Sequence, residues 1–334
     1  MDKKRIYFIE NSFDYNGSDL DNPKIGGSEK TLINITNMLA KDNGILVKVF
    51  NNTSNSNKIN NVFWNNISQI DNSDRANFVI AMSDANLFNK LNCKNNYLWS
   101  HSIQSFEKFI RKKQLFPFFK YKPRLILEGE YHYEKRSFLT SFYGKKILKL
   151  APDYDFINEN LDLNFIPPPN AIFTTKSDRN LSFLLEAWNE IKKLNKNSKL
   201  YINPPYILSD NQKKNDIFVR KKRNKSHLIN ELKNSKLFLT PGHKTEVYCL
   251  AAEEARELCV PIVTMGYGCL YERVVHEKTG FVAKNKKEFV NYSNLILNDD
   301  GAYIKIKKNL FNLRNSRNYL NVKNDLMKIL KIND

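Results

Sequence analysis

The chain has 334 residues, 41% of them hydrophobic, which is enough for two domains with a core each, and no apolar run reaches the roughly 20 residues of a membrane-spanning helix. Its four cysteines, Cys93, Cys249, Cys259 and Cys269, lack the close pairing of a zinc site and are too few for a disulfide framework. The formal charge of +18 would suit phosphate neutralisation, but lysine and asparagine are spread through every region, as in "NNTSNSNKINN", and no nucleic-acid motif accompanies them, so no nucleic-acid partner is expected.

The opening "MDKKRIYFIEN" passes straight from charge into a strand, without the apolar core and cleavage site of a secretory signal, which predicts a cytoplasmic protein. The next loop ends in "KIGGSEK" and leads into a helix over 29–41. Gly26 and Gly27 allow a close backbone approach, and the helix N-terminus behind them favours an anion. The alternative is a glycine pair serving the turn, with Ser28 as N-cap. Strands follow at "ILVKVF", "ANFVIAM", "NYLWS", "RLILE" and "KKILKL". Strands alternating with helices imply a parallel sheet covered on both faces, here an α/β domain over 1–150. His101 stands at the end of one of these strands. Residues 106–124, "FEKFIRKKQLFPFFKYKPR", interleave aromatic and basic side chains. They read either as ordinary packing with a solvated basic face or as a membrane-surface patch. Phe106, Phe109 and Ile110 share one helical face, and the proline among Phe116, Phe118 and Phe119 is expected to stop the helix.

Residues 151–169, with three consecutive prolines at 167–169, read as a connector. A second alternating series, over 170–310, runs through "AIFTT", "NLSFLLEAWNEIKKL", "KLYIN", "SHLINELKNS", "KLFLT" and "PIVTM". Residues 311–334 are expected to be helical and to pack back on the first domain. Two such domains would face each other across a cleft, where ligands collect. In "TTKSDRNLSFLLEAW", Lys176 and Arg179 precede a helix, with Asp178 as its expected N-cap. Two cations at a helix start oppose its dipole unless an anion lies between them.

The stretch "TEVYCLAAEEARE" places Glu246 and Glu254 eight residues apart, about 12 Å along the axis if it were all helix. That is too far for both to act on one bond. Pro241 and Gly242 break regular structure just upstream, so the helix is expected to start after Glu246. Glu246 then sits in the loop at its N-terminus and Glu254 within the helix, placed to grip two parts of one long ligand. The alternative is a surface helix whose acids, including Glu253 and Glu257, face water.

The segment "KLFLTPGHKTEVYCLAAEEARELCVPIVTMGYGCLYERVVHEKTGFVA", taken in order with 176–188 and "IGGSEKTLINITNMLA", resembles glycosyltransferases of the GT-B fold, most closely the retaining group numbered family four. The resemblance implies two Rossmann-like α/β domains and transfer of a hexosyl group from a UDP-, GDP- or ADP-sugar to a glycan, lipid-linked or small-molecule acceptor in glycan biosynthesis, with no cofactor and no metal. It implies that Glu246 reaches the donor sugar's hydroxyls and Glu254 the ribose. Backbone around Tyr248, Cys249 and Leu250 approaches the diphosphate, as do Gly26 and Gly27, and His101 stands beside the donor sugar. Lys176 and Arg179 meet the phosphate charge. Catalysis is thus assigned to His101, Lys176, Arg179 and Glu246, and membrane contact at the cytoplasmic face to 106–124. The chain departs from the family at "AIFTT", which lacks an arginine, at "RELC" and at "GYG", which has lost one of two adjacent glycines. A silent sugar-binding module and a nucleotide-sugar epimerase are the alternatives.

Overall fold

The structure is a computed structural model that describes residues 3–71 and 73–332. The chain forms two compact units. One runs to Leu150 and includes the C-terminal segment from Tyr319, and the other is Ala151–Asn318.

The first unit is built on an eight-stranded sheet: β1 (Lys4–Ile9), β2 (Ile45–Asn51), β3 (Asn57–Ile59), β4 (Val62–Asn66), β5 (Phe78–Met82), β6 (Asn96–Trp99), β7 (Arg124–Leu127) and β8 (Lys145–Ile147). Their order is β3-β4-β2-β1-β5-β6-β7-β8, with Ile6 opposite Val47 on one side and Phe78 on the other. All pairs are parallel except β3 with β4. β1 and β5 read as near-continuous apolar runs because helices cover both faces of the sheet. The asparagine-rich stretch that looked merely compositional holds the β3–β4 hairpin. Asn60 and Asn61 both take positive φ, 49° and 63°, which two-residue hairpin turns require and asparagine tolerates. The helix after the glycine pair is Gly27–Leu39, with Gly26 rather than Ser28 at its cap. The C-terminal helix Tyr319–Leu330 packs on it, held by Lys323 on Asp42 at 3.1 Å and by the Tyr97 hydroxyl donating to the Ile329 carbonyl at 3.3 Å.

Residues 106–124 form two short helices, Phe106–Arg111 and Leu115–Tyr121. Pro117 does not stop a helix. It lies in the first turn of the second one, where its missing N–H has no intrahelical acceptor to lose. Phe109 and Phe118 are buried edge to face, with centroids 5.0 Å apart. Phe106, Ile110, Phe116 and Phe119 are exposed, Phe116 by 73%, among exposed Arg111, Lys113, Lys120 and Lys122. No helix among the described residues is long and apolar enough to cross a membrane.

The second unit holds β9 (Ala171–Phe173), β10 (Leu200–Ile202), β11 (Ile217–Val219), β12 (Leu237–Leu239), β13 (Ile262–Thr264) and β14 (Gly280–Val282) in the order β11-β10-β9-β12-β13-β14, all parallel. The helix Leu181–Leu194 buries Leu181, Leu184, Leu185, Trp188 and Ile191 on this sheet, and the Trp188 indole donates to the Asn215 carbonyl at 2.9 Å. Residues 151–169 pack on this unit. Lys225 binds Asp153 and Asp155 at 2.8 Å each, and Lys307 donates to the carbonyls of Asp162 and Phe165 at 2.7 Å each.

Candidate active site

Ligands of open α/β sheets collect beyond the carboxyl ends of the strands, where the chain's direction of travel across the sheet reverses. In the second unit that point lies between β9 and β12, which are neighbours although the chain leaves them toward opposite edges. The loops after these strands carry the residues singled out from sequence.

The helix Leu250–Glu257 begins after Cys249, whose φ of 62° turns the chain into it. Glu246 therefore lies in the preceding loop and half-buried Glu254 within the helix. The other two acids of the stretch do not face water. Glu253 and Glu257 are buried, both paired with Arg256, at 2.8 and 2.9 Å, and Glu253 also meets Arg273 at 3.4 Å. The same Arg273 stacks on the Tyr248 ring, 4.0 Å from its centroid, and donates to the Tyr248 carbonyl at 2.9 Å. The Tyr248 side chain is thus turned into the protein, leaving its backbone to line the loop.

Glu246 is 9% exposed, and its Oε2 has no hydrogen-bond partner. Burial raises its carboxyl above the usual carboxylate range, with Arg179 acting in the opposite direction. Arg179 reaches across from the β9 loop and donates to the Thr245 hydroxyl, so the two loops join one residue before Glu246. Lys176 is exposed on the same turn. Asp178 is not the helix cap. Asn180, at φ 58°, holds that position, and its side chain donates instead to the Gly242 carbonyl, while exposed Asp178 lies 3.8 Å from Arg179. A third loop braces these two: the Cys269 amide donates to the Glu246 carbonyl at 3.0 Å.

In the first unit the corresponding reversal lies between β1 and β5. A cavity of ≈ 240 Å³ opens there, lined by Glu10, Tyr15, Glu29, Asp84, His101 and Lys112 among others. His101 is held from behind: its Nδ1 lies 2.5 Å from a carboxylate oxygen of buried Glu128, and its backbone amide donates to Ser83 Oγ at 3.0 Å. Its Nε2 is buried without a partner. The Glu128 amide in turn donates to His132 Nδ1 at 3.3 Å. Gly26 caps the helix close to this cavity's Glu29, where an added Cβ would come within 2.8 Å of the carboxylate.

Sequence reasoning did not single out Glu10 or Glu128. Both follow directly on buried strands, in "YFIE" and "LILE", and a carboxylate at the carboxyl end of an apolar strand was the available signal.

Residues 176–312 match the family described as glycosyl transferases group 1. Among solved structures the fold is similar to WaaG, a glycosyltransferase involved in lipopolysaccharide biosynthesis (11% identity, TM-score 0.70, 98% of this chain and 100% of that one). It is also similar to HepE from Anabaena in complex with UDP and glucose (13%, 0.70, 98% and 99%). TarM from S. aureus, in a complex that includes UDP, matches at 15% identity and TM-score 0.60 over 76% of this chain, which spans 55% of that protein. No curated protein matches the sequence. The fold is GT-B, and the stretch that matches the glycosyltransferase family lies within the second unit.

Proposed function

We propose that the chain is a retaining hexosyltransferase that moves a sugar from a nucleotide sugar to a glycan or lipid-linked acceptor without a metal ion, on the cytoplasmic side of a membrane. A UDP-sugar is the first choice of donor, since HepE and TarM were solved with UDP. The observation that carries the reading is the meeting of Arg179 with the Glu246 loop at the strand-order reversal of the second sheet. Departure of a nucleoside diphosphate develops negative charge. Lys176, Arg179 and the first-turn amides of the helix Leu250–Glu257, which have no acceptor within the helix, suit that charge. The unpaired, buried Glu246 oxygen suits a sugar hydroxyl, because a buried acceptor left empty is costly. By the resemblance, Glu254 takes the ribose, backbone at Tyr248, Cys249 and Leu250 the diphosphate, Gly26 and Gly27 the same group, and His101 the donor sugar.

The test is a panel of UDP-, GDP- and ADP-sugars assayed for slow release of the nucleoside diphosphate. One nucleotide should stand out, and Glu254→Gln should weaken its binding about tenfold to a hundredfold in calorimetry, the worth of one charge-assisted hydrogen bond. No release from any donor would leave a silent module, and unchanged nucleotide affinity in the variant would remove Glu254 from the ribose.

Membrane contact is assigned to residues 106–124, on the support of four exposed apolar side chains among exposed cations. Apolar insertion plus roughly 1 kcal/mol per cation near an anionic surface suffices for reversible attachment. Co-sedimentation with anionic vesicles should fall at high salt and on replacing Arg111, Lys113, Lys120 and Lys122 by Gln, with Lys112 spared because it lines the cavity. Binding indifferent to both changes would point to a soluble acceptor.

A further inference from the structure

The cavity of the first unit is charged in a way that the donor's diphosphate does not explain. Glu10 is 7% exposed, and one of its oxygens accepts from Ser12 Oγ at 2.9 Å. Among the described residues it has no ion pair with lysine or arginine, and burial raises its carboxyl to about 7. Glu29 and Asp84 line the same space, with Lys112 as its lysine. The Tyr15 ring, on a side chain 2% exposed, stands at the cavity wall with its hydroxyl directed to Glu10, and His101 Nε2 lacks a hydrogen-bond partner. Polar side chains that line a cavity are the places where a ligand's hydroxyls and amines complete the hydrogen bonding. The carboxylates of Glu29 and Asp84, with Glu10 partly ionised near neutral pH, repel a phosphate or carboxylate, whereas all three carboxyl groups hydrogen-bond well to hydroxyl and ammonium groups.

We propose that this cavity binds a hydroxyl-rich sugar ring that is neutral or carries an amine, excludes anionic sugars, and owes that preference to Glu10. The inference rests on the glycosyltransferase reading and narrows its substrate. The ring is that of the acceptor, held at Glu10 while His101 at the same cavity stays with the donor's glycosyl group, which is the other source of the same chemistry.

The experiment is saturation-transfer NMR on the full chain with methyl α-D-glucopyranoside, glucosamine, glucose 6-phosphate and glucuronic acid, with UDP calorimetry alongside. The wild type should bind the first two sugars and not the anionic pair. Glu10→Gln should weaken the first two about tenfold, glucosamine the more, and narrow the gap to the anionic pair. Tyr15→Phe, which keeps the ring that fills the wall, should weaken all of them less. Unchanged UDP affinity in each variant certifies the fold. Wild-type binding that ignores sugar charge, or an unaltered pattern in Glu10→Gln, would overturn the proposal. Calorimetry of UDP-glucose separates the sources: affinity equal in wild type and Glu10→Gln assigns the ring to the acceptor, and affinity lowered only in the variant assigns it to the donor. A chain that binds UDP but none of the four sugars overturns the cavity assignment alone. A chain that binds the sugars selectively but neither binds nor releases any nucleotide overturns the glycosyltransferase reading alone.

Discussion

Arg179→Ala is expected to lower the rate of sugar transfer by about 10²–10³, the cost of removing one preorganised donor aimed at developing charge. The guanidinium joins the loop after β9 to Thr245 and lies close enough to Glu246 to favour its ionised form against burial. Its loss should therefore act twice. The departing diphosphate loses a counter-charge, and Glu246 moves further toward its protonated state, in which it accepts less well from a sugar hydroxyl. Arg179 is only partly buried, so thermal unfolding should barely change. The companion measurement is activity in EDTA. Full wild-type activity there, together with the loss in Arg179→Ala, is the expected pair. Activity abolished by EDTA and restored by magnesium or manganese would transfer the charge-stabilising role to a metal ion.

Gly268→Ala should disable the protein through the backbone that carries Glu246. Gly268 has φ 69°, and a Cβ there would lie 2.3 Å from the His243 carbonyl oxygen and 2.8 Å from that of Glu246. Both contacts are backbone, so no side-chain rotation relieves them, and the loop carrying Glu246 must move. Strain of about 1–3 kcal/mol for the left-handed conformation and a similar cost for the overlap give a loss of about 2–6 kcal/mol. For a unit of this size that lowers the melting temperature by roughly 5–15 °C. Gly266→Ala is the control. It has the same φ of 69°, but its Cβ meets a methyl of Val282 at 2.8 Å, which can shift, so it should cost the strain alone. Equal stability and activity in the two alanine variants would show that the third loop does not brace Glu246. The "GYG" stretch, read from sequence as a loss of one family glycine, thus keeps both of its glycines in the left-handed conformation.

The placement of Glu246 before a helix and Glu254 inside it was legible because Pro241, Gly242 and the apolar strand "KLFLT" are local signals, each acting through its own backbone preferences. Most strands of both sheets were legible for the same reason, whereas β3, β4, β11 and β14 were not read as strands. Asp178 was misjudged as a cap because an acid two residues before a helix looks right in one dimension, while the choice fell to Asn180, whose left-handed backbone and bond to Gly242 depend on a loop 62 residues away. Glu253 and Glu257 looked like solvent-facing acids because Arg273, which meets Glu253, and the Asn315 amide, which donates to Glu257 at 2.9 Å, are distant in sequence. Pro117 looked like a helix stop because its position within a first turn depends on where the preceding helix ends, at Arg111.

By itself the sequence determined the kind of most elements, the alternation that makes two parallel sheets, and the strand-end loops where Gly26, His101, Arg179 and Glu246 stand. Those are consequences of side-chain periodicity and of glycine and proline backbone limits, which act over a few residues. Only the tertiary structure decided which strands became neighbours. That order brought Arg179 to Thr245, and it closed Glu10, Tyr15, Glu29 and His101 around one cavity. The burial that raises the carboxyls of Glu10 and Glu246 follows from the same order, because the atoms that exclude water from each come from segments far apart in the chain.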